Sequence, residues 1–144
     1  MKSNKLSRII NKLGGGRGME STFSIAEISK RTGLSYDTIR YYEKIGLLPP
    51  VKRKENGQKE YDKLHLDRFV FITHLKRTNM PLKEIERYMT LASARNYESC
   101  YSVLNEHKLK IESQMAEMHT TLEMMNYKLD HFKDLMKRSG LGGE

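Results

Sequence analysis

The sequence predicts a mainly α-helical protein in which a winged helix-turn-helix precedes one long C-terminal helix. Three observations predict it: two short helical segments joined by a glycine turn, a basic hairpin after two prolines, and a heptad repeat of apolar residues near the C-terminus. At 144 residues the chain is long enough for about one small domain and an extension.

The helix-turn-helix is predicted from helix start and stop signals within residues 23–95. A capping box at Ser24–Glu27 begins the first helix, which should end at Thr32-Gly33. Ser35 then caps a second helix over about residues 36–45. Two short helices joined by a turn that contains glycine are typical of a helix-turn-helix.

A basic hairpin is predicted next, over about residues 51–61. Asn56-Gly57 favours a two-residue type I′ turn, because both of its central positions have positive φ. A hairpin this polar has no core of its own, so we expect it to lean on the helices and present its charges outward as a wing. The alternative is a solvated loop. The basic residues of the wing are Lys52, Arg53, Lys54 and Lys59.

Two further helices are expected before the long one. Asp62 should cap a helix over residues 63–78, and a proline precedes a shorter helix over residues 82–89. We interpret His65 and His74 as structural or surface histidines, because no second ligand lies at metal-ligand spacing. The sequence therefore predicts no metal site.

The long helix, residues 98–138, contains an apolar seam whose members are separated alternately by four and three residues. The seam, from Ile111 to Met136, spans about 39 Å of helix at 1.5 Å per residue. Nothing later in the chain covers this narrow stripe, so it needs a partner helix, and a second copy of the chain is the partner we expect. The seam consists of Ile111, Met115, Met118, Leu122, Met125, Leu129, Phe132 and Met136.

The charge is uneven along the chain. Residues 1–20 carry a net charge of +4, residues 21–95 of +6 and residues 96–144 of −2. Only the front should therefore meet a polyanion, although a basic solvated surface is the alternative. We interpret residues 1–22 as a flexible basic leader or tag, or as a native arm that touches phosphates, and residues 139–144 as a tail.

Several classes of protein are excluded by what the sequence lacks. It has no apolar run near 18 residues and no secretory signal, and its single cysteine, Cys100, fits a reducing cytosol. We expect a cytoplasmic, nucleoid-associated protein. No nucleophile elbow, glycine-rich phosphate loop or histidine and carboxylate cluster points to an enzyme or to a bound cofactor.

A helix-turn-helix with a basic wing predicts binding to double-stranded DNA. The N-terminal residues of the second helix should lie nearest the base edges. There Asp37 either accepts a hydrogen bond from a cytosine amino group or is only an acid near the helix cap. Arg40 and Tyr41 should contact DNA, whereas the ring of Tyr42 points inward. The candidate DNA-binding residues are Tyr36, Asp37, Thr38, Arg40, Tyr41, Tyr42, Lys52, Arg53, Lys54, Lys59 and Tyr61.

The stretch FSIAEISKRTGLSYDTIRYYEKIGLLPP, which begins at Phe23, resembles the amino-terminal signature of the MerR family of bacterial transcription regulators. The resemblance continues through the hairpin to about Met89. It implies an antiparallel coiled-coil homodimer on a pseudo-palindromic promoter site. It also implies activation by bending and undertwisting an overlong promoter spacer for RNA polymerase, with Arg40, Tyr41 and the wing cations as backbone clamps. An architectural DNA-binding protein without a promoter response is the alternative.

The sequence departs from the family pattern at two places. Gly57-Gln58-Lys59 stands where the family commonly has Gly-Tyr-Arg, and His65 where it often has an acid.

The chain resembles the short branch without a C-terminal ligand-binding domain, some of whose members respond to aldehydes or thiol stress through one cysteine. A small-molecule or electrophile inducer is therefore expected to act near Cys100, Tyr97, Tyr101 and His74, and the alternative is that Cys100 is an inert small hydrophobe.

Overall fold

The computed structural model describes residues 21–140, which form five helices and three short strands. These residues belong to two compact units that divide between Cys100 and Tyr101, inside the first turns of the last helix. The elements are β1 (Thr22–Phe23), α1 (Ile25–Thr32), α2 (Tyr36–Lys44), β2 (Lys52–Arg53), β3 (Lys59–Asp62), α3 (Lys63–Arg77), α4 (Leu82–Ser93) and α5 (Tyr97–Ser139).

The helix-turn-helix forms as predicted, because the local capping signals are satisfied. Ser24 and Glu27 make the expected reciprocal capping box at the start of α1. Gly33 ends α1 in the left-handed conformation, with φ +78°, and its N–H donates to the Ser29 carbonyl at 2.8 Å. Ser35 Oγ then accepts from the Thr38 N–H at 3.1 Å and begins α2.

A small antiparallel sheet, not fully anticipated from the sequence, holds the wing against the helices. β3 lies in the middle, with β1 on one side and β2 on the other. Phe23 pairs with Tyr61, and Lys52 pairs with Glu60. The guanidinium of Arg31 lies over the Phe23 ring, 5.1 Å from its centroid. β1 extends the core one strand beyond the predicted start of the fold.

The turn of the wing differs from the predicted two-residue type I′ turn. The Gly57 N–H donates to the Lys54 carbonyl at 2.9 Å, and the Lys54 N–H donates to the Gln58 carbonyl at 2.8 Å. Gly57 has φ +85°, whereas Asn56 does not have positive φ. The loop therefore has three residues and ends in a glycine bulge. Asn56 instead uses Oδ1 to accept the Gln58 N–H at 3.1 Å.

The start of α3 explains the departure at His65. Asp62 caps the helix, as predicted, and its Oδ1 accepts from the His65 N–H at 2.9 Å. His65 Nδ1 accepts the Asp62 N–H at 3.2 Å, the role that an acid has in a common capping box. Its Nε2 lies 3.1 Å from the Pro49 carbonyl, which can only accept, so Nε2 carries the ring hydrogen. His65 is thus a buried structural residue.

The core of the first unit lies where α1, α2 and α3 pack around β3. α4 begins at Leu82, as predicted, just after Pro81, whose carbonyl accepts the first hydrogen bonds, and it runs to Ser93, four residues beyond the predicted end. The most deeply buried side chains are Ile28, Ile39, Leu47, Tyr61, Leu66, Phe69, Ile72 and Ile85.

The second unit is the helix α5 from Tyr101 onward. The whole of α5 is 43 residues long, or about 64 Å at 1.5 Å per residue. Most of the predicted seam is exposed in the single chain: Met118, for example, is 73% exposed, and Ile111 alone among the seam residues is partly covered. Within residues 21–140, no helix is long and apolar enough to cross a membrane.

Candidate nucleic-acid interface

The outer face of α2 presents four of the predicted contact residues to solvent. They are Tyr36, Asp37, Arg40 and Tyr41, and Tyr41 is 49% exposed although it adjoins a buried tyrosine. Successive residues of a helix point about 100° apart, which separates Tyr41 from Tyr42. Ile39 and Tyr42 anchor the opposite face of α2 in the core. The short helix is therefore rigidly held, with its polar face outward.

Arg40 is positioned by two neighbours one helical turn earlier. Its guanidinium lies over the Tyr36 ring, 5.8 Å from the centroid, and its Nη1 lies 3.7 Å from Asp37 Oδ1. The Asp37 side chain is almost fully exposed. Thr38 is half-buried, and its hydroxyl oxygen accepts from the Ser35 hydroxyl at 2.9 Å. Asp37 therefore pairs with Arg40 and does not cap the helix, since Ser35 has that role.

The wing supplies a second exposed cationic surface. Lys52, Arg53 and Lys54 are all exposed on β2 and the start of the loop. Arg53 Nη1 donates to the Gly57 carbonyl at 2.7 Å, which braces the loop against the strand. We call these side chains, together with the exposed Arg40, the basic face.

Lys59 is placed differently from the other wing cations. Its Nζ pairs with Glu43 Oε2 of α2, and the two side chains are only 31% and 10% exposed. This contact joins residues 16 positions apart and links the wing to the recognition helix α2. Sequence reasoning missed the pairing of Glu43, for which the one available signal was an acid within the same helix as Arg40.

Two of the tyrosines predicted to bind DNA, Tyr42 and Tyr61, are buried in the core. Tyr42 is 7% exposed, with its ring inward as expected, and burial, followed by the neighbouring Tyr41, raises its pKa. Tyr61 is completely buried, so its side chain belongs to the core and cannot reach DNA directly in this structure. Burial, and then the adjacent Glu43 carboxylate, raises the pKa of Tyr61.

The candidate sensing residues do not share one environment. Cys100 is 8% exposed in the first turns of α5, whereas Tyr97, Tyr101 and His74 are exposed. Burial, and then the nearby Cys100, raises the pKa of Tyr88 on α4. In the described part of the chain, no group of three or more His, Cys, Asp or Glu side chains is arranged to hold a metal ion.

Comparisons with known proteins agree with this geometry. Residues 23–92 match the family described as MerR HTH family regulatory protein. The HTH-type transcriptional regulator YyaN of Bacillus subtilis is 31% identical over 129 residues, which is 80% of this chain and 94% of that protein.

Two solved structures are similar in fold. The first is HiNmlR, described as a MerR family regulator lacking the sensor domain and bound to promoter DNA; it has a TM-score of 0.76 and 30% identity over 83% of this chain and 92% of that one. The second is a MerR family transcriptional regulator from Listeria monocytogenes, with a TM-score of 0.73 and 26% identity over 82% and 91% of the two chains. The chain therefore belongs to the MerR family of helix-turn-helix transcriptional regulators.

Proposed function

We propose that this regulator binds a pseudo-palindromic promoter site as a homodimer and activates transcription by bending and undertwisting an overlong promoter spacer. RNA polymerase can then contact both promoter elements. The observation that supports this most is the basic face, where an exposed recognition helix and an exposed wing belong to one compact unit. The similarity to a regulator bound to promoter DNA supports the same proposal.

The contacts divide into two kinds. The side chains at the start of α2, Tyr36, Asp37 and Thr38, would lie nearest the base edges. Arg40 and Tyr41 would contact the sugar-phosphate backbone, and the wing cations Lys52, Arg53 and Lys54 would contact phosphates farther along the duplex. Phosphate contacts from both α2 and the wing are what a protein needs to hold DNA in a distorted form.

The homodimer would form through the seam of α5. Its apolar residues are exposed in the single chain, and an exposed apolar stripe of this length favours association with another helix. The stripe has the alternating spacing of knobs-into-holes packing, so a second α5 is a matched partner. We propose an antiparallel pair, acting at the chromosome in the cytoplasm.

Any response to electrophiles would pass through Cys100, the one cysteine of the chain. Cys100 is only 8% exposed, so we expect its thiol to react slowly with a reagent in solution. A Cys100→Ser variant should then lose the response of a promoter reporter to aldehydes or oxidants. An unchanged response would remove Cys100 from the sensor.

A genomic pulldown followed by transcription in vitro tests the proposed mechanism. Purified protein should recover a pseudo-palindrome inside a promoter whose spacer is longer than optimal, and should activate that promoter with RNA polymerase. Shortening the spacer to the optimal length should make transcription independent of the protein. Recovery of many dispersed sites without promoter geometry would instead indicate an architectural DNA-binding protein.

A further inference from the structure

We propose that Lys59 does not contact DNA, and that with Glu43 it forms an internal ion pair that fixes the wing relative to the recognition helix. This inference deepens the proposed function and depends on it for its DNA readout. Charge alone would predict that this wing lysine binds phosphate.

The burial of both side chains favours the internal ion pair over a contact of Lys59 with DNA. Glu43 keeps only a tenth of its side chain exposed, and Lys59 about a third, unlike the exposed Lys52 and Lys54 beside it. A lysine that left Glu43 to meet a phosphate would leave a carboxylate buried without its partner ion, which is strongly unfavourable. The internal pair is therefore the more stable use of the Lys59 charge.

The two carboxylate oxygens of Glu43 are used unequally in the ion pair. Lysine contacts one carboxylate oxygen, Oε2, whereas Glu43 Oε1 is buried and takes no part in the ion pair, and the carboxylate also interacts with the buried Tyr61 hydroxyl. An arginine could contact both carboxylate oxygens, because its guanidinium presents paired donors. The cluster therefore predicts that Lys59→Arg retains the joint or strengthens it.

Glu43 and Lys59 belong to the two different elements that carry the basic face, α2 and the wing. Glu43 lies in the last turn of α2, one turn after Arg40, and Lys59 lies in β3, which pairs with the strand that carries Lys52 and Arg53. The ion pair thus connects the two parts of the basic face. Loss of either partner would remove this tie between the wing and α2, leaving the wing held by the pairing of β3 with β1 and by the buried Tyr61.

Affinity measurements on a mixed-sequence 30-base-pair duplex separate positioning from direct contact. Glu43→Gln and Lys59→Met should each weaken binding about tenfold, or about 1.4 kcal/mol, and the double variant should be no weaker than either single variant. Glu43→Gln should also flatten the salt dependence although it removes no cation, because the wing cations then lose phosphate contacts. Lys59→Arg should bind at least as tightly as the wild type.

Lys54→Met is the matched control, since Lys54 is an exposed lysine of the same wing. It should weaken binding of the otherwise wild-type protein, and by a smaller factor when Glu43→Gln is already present, because the wing cations have then lost phosphate contacts. If Lys59 contacts phosphate directly, Glu43→Gln will instead strengthen binding, because it removes an acid and releases a cation, and this result would overturn the proposal.

A second measurement keeps the two proposals separate. Hydrogen exchange at the wing amides should accelerate in Glu43→Gln and Lys59→Met without DNA, and return to the wild-type rate in Lys59→Arg. If the wild type binds no duplex, the proposed function fails while this readout still decides the ion pair. Unchanged exchange in both single variants would contradict the positioning role.

Discussion

The guanidinium of Arg40 rests over the ring of Tyr36, with 5.8 Å between its central carbon and the ring centroid. The same side chain lies 3.7 Å from Asp37. Tyr36 and Asp37 thereby constrain the Arg40 guanidinium at the surface of α2. A side chain ordered before binding loses less conformational entropy when it meets DNA.

The Asp37–Arg40 pair predicts that Asp37→Asn strengthens binding to a mixed-sequence duplex. The exposed carboxylate repels phosphates and competes for Arg40, so its removal should raise affinity about twofold to fivefold, as expected for an exposed charge worth ~0.5–1 kcal/mol. Fluorescence anisotropy at fixed salt measures this. Asp130→Asn, an exposed acid of α5, should change nothing.

A different result would revive the base-reading interpretation of Asp37. If Asp37 accepts from a cytosine amino group, Asp37→Asn will weaken binding to the strongest genomic site and relax the preference at one base pair. Binding selections with the variant and the wild type distinguish the two roles, because loss of an electrostatic repulsion alters all sequences alike.

The wing loop predicts that Gly57→Ala destabilises the protein by about 1 kcal/mol, because alanine is strained at positive φ. Gly57 has φ +85°, and a methyl group there would meet nothing within 4 Å, so the cost comes from the backbone alone. Thermal unfolding measures the change. Asn56→Gly is the control: it would be favourable in a type I′ turn, but here it should lower stability, since it removes the hydrogen bond to Gln58.

The cap of α3 predicts a defined pH dependence. Burial alone would raise the pKa of Asp62, but the hydrogen bond from the His65 backbone N–H, the neighbouring His65 ring and the hydrogen bond from the Leu64 N–H together outweigh it and lower the pKa. A folded pKa below the unfolded value means that the carboxylate stabilises the fold above about pH 4 and that this stability disappears as the pH falls through the folded pKa. Asn is an equally good cap, so Asp62→Asn removes the charge alone.

Urea unfolding between pH 7 and pH 2 measures this contribution. Asp62→Asn should be less stable than the wild type at pH 7 and equally stable at the acid end, provided that both remain folded there. A constant difference across the range would show that the charge of Asp62 does not stabilise the cap.

Asp67 should behave in the opposite way. Burial raises the pKa of Asp67, Lys63 opposes the shift and Asp62 adds to it, and Asp67 Oδ1 is buried without a partner in the described residues. Ionisation above the folded pKa therefore costs stability. Asp67→Asn should match or exceed the wild-type free energy of unfolding at pH 7, with a gain that vanishes in acid. Lower stability at pH 7 would show that the Asp67 carboxylate is stabilising.

The seam of α5 predicts that Leu122→Glu converts a dimer into a monomer at micromolar concentration. Leu122 lies in the middle of the seam and is exposed in the single chain, so a charge there would be buried without a partner in the dimer. Sedimentation equilibrium measures the association. Thr121→Glu, one position off the seam, should remain dimeric; equal dissociation of both variants would contradict the assigned register.

Much of the fold could be predicted because its signals are local. The serine caps of α1 and α2, the Asp62 cap and the heptads of α5 each lie within a few residues of what they determine. β1 was missed because two residues become a strand only by pairing with β3, almost forty positions later. The turn type was missed because Asn-Gly also suits a three-residue loop that ends in a glycine bulge.

The candidate site was predictable in its exposed part and not in its buried part. Arg40, Tyr41 and the β2 cations follow from charge and helical spacing. The burial of Tyr61 and the Lys59–Glu43 pair depend on the position of β3 relative to α2, which is a tertiary relationship. Charge counts cannot distinguish a cation that meets phosphate from one neutralised within the protein.

A hydroxyl-radical footprint on the strongest site from the genomic pulldown tests the central claim most directly. The wild type should protect the backbone in two half-sites related by dyad symmetry, with enhanced cleavage of the distorted spacer between them, and Leu122→Glu should abolish the paired pattern. A single protected stretch without symmetry, formed equally well by Leu122→Glu, would contradict a dimer that distorts a promoter through its basic face.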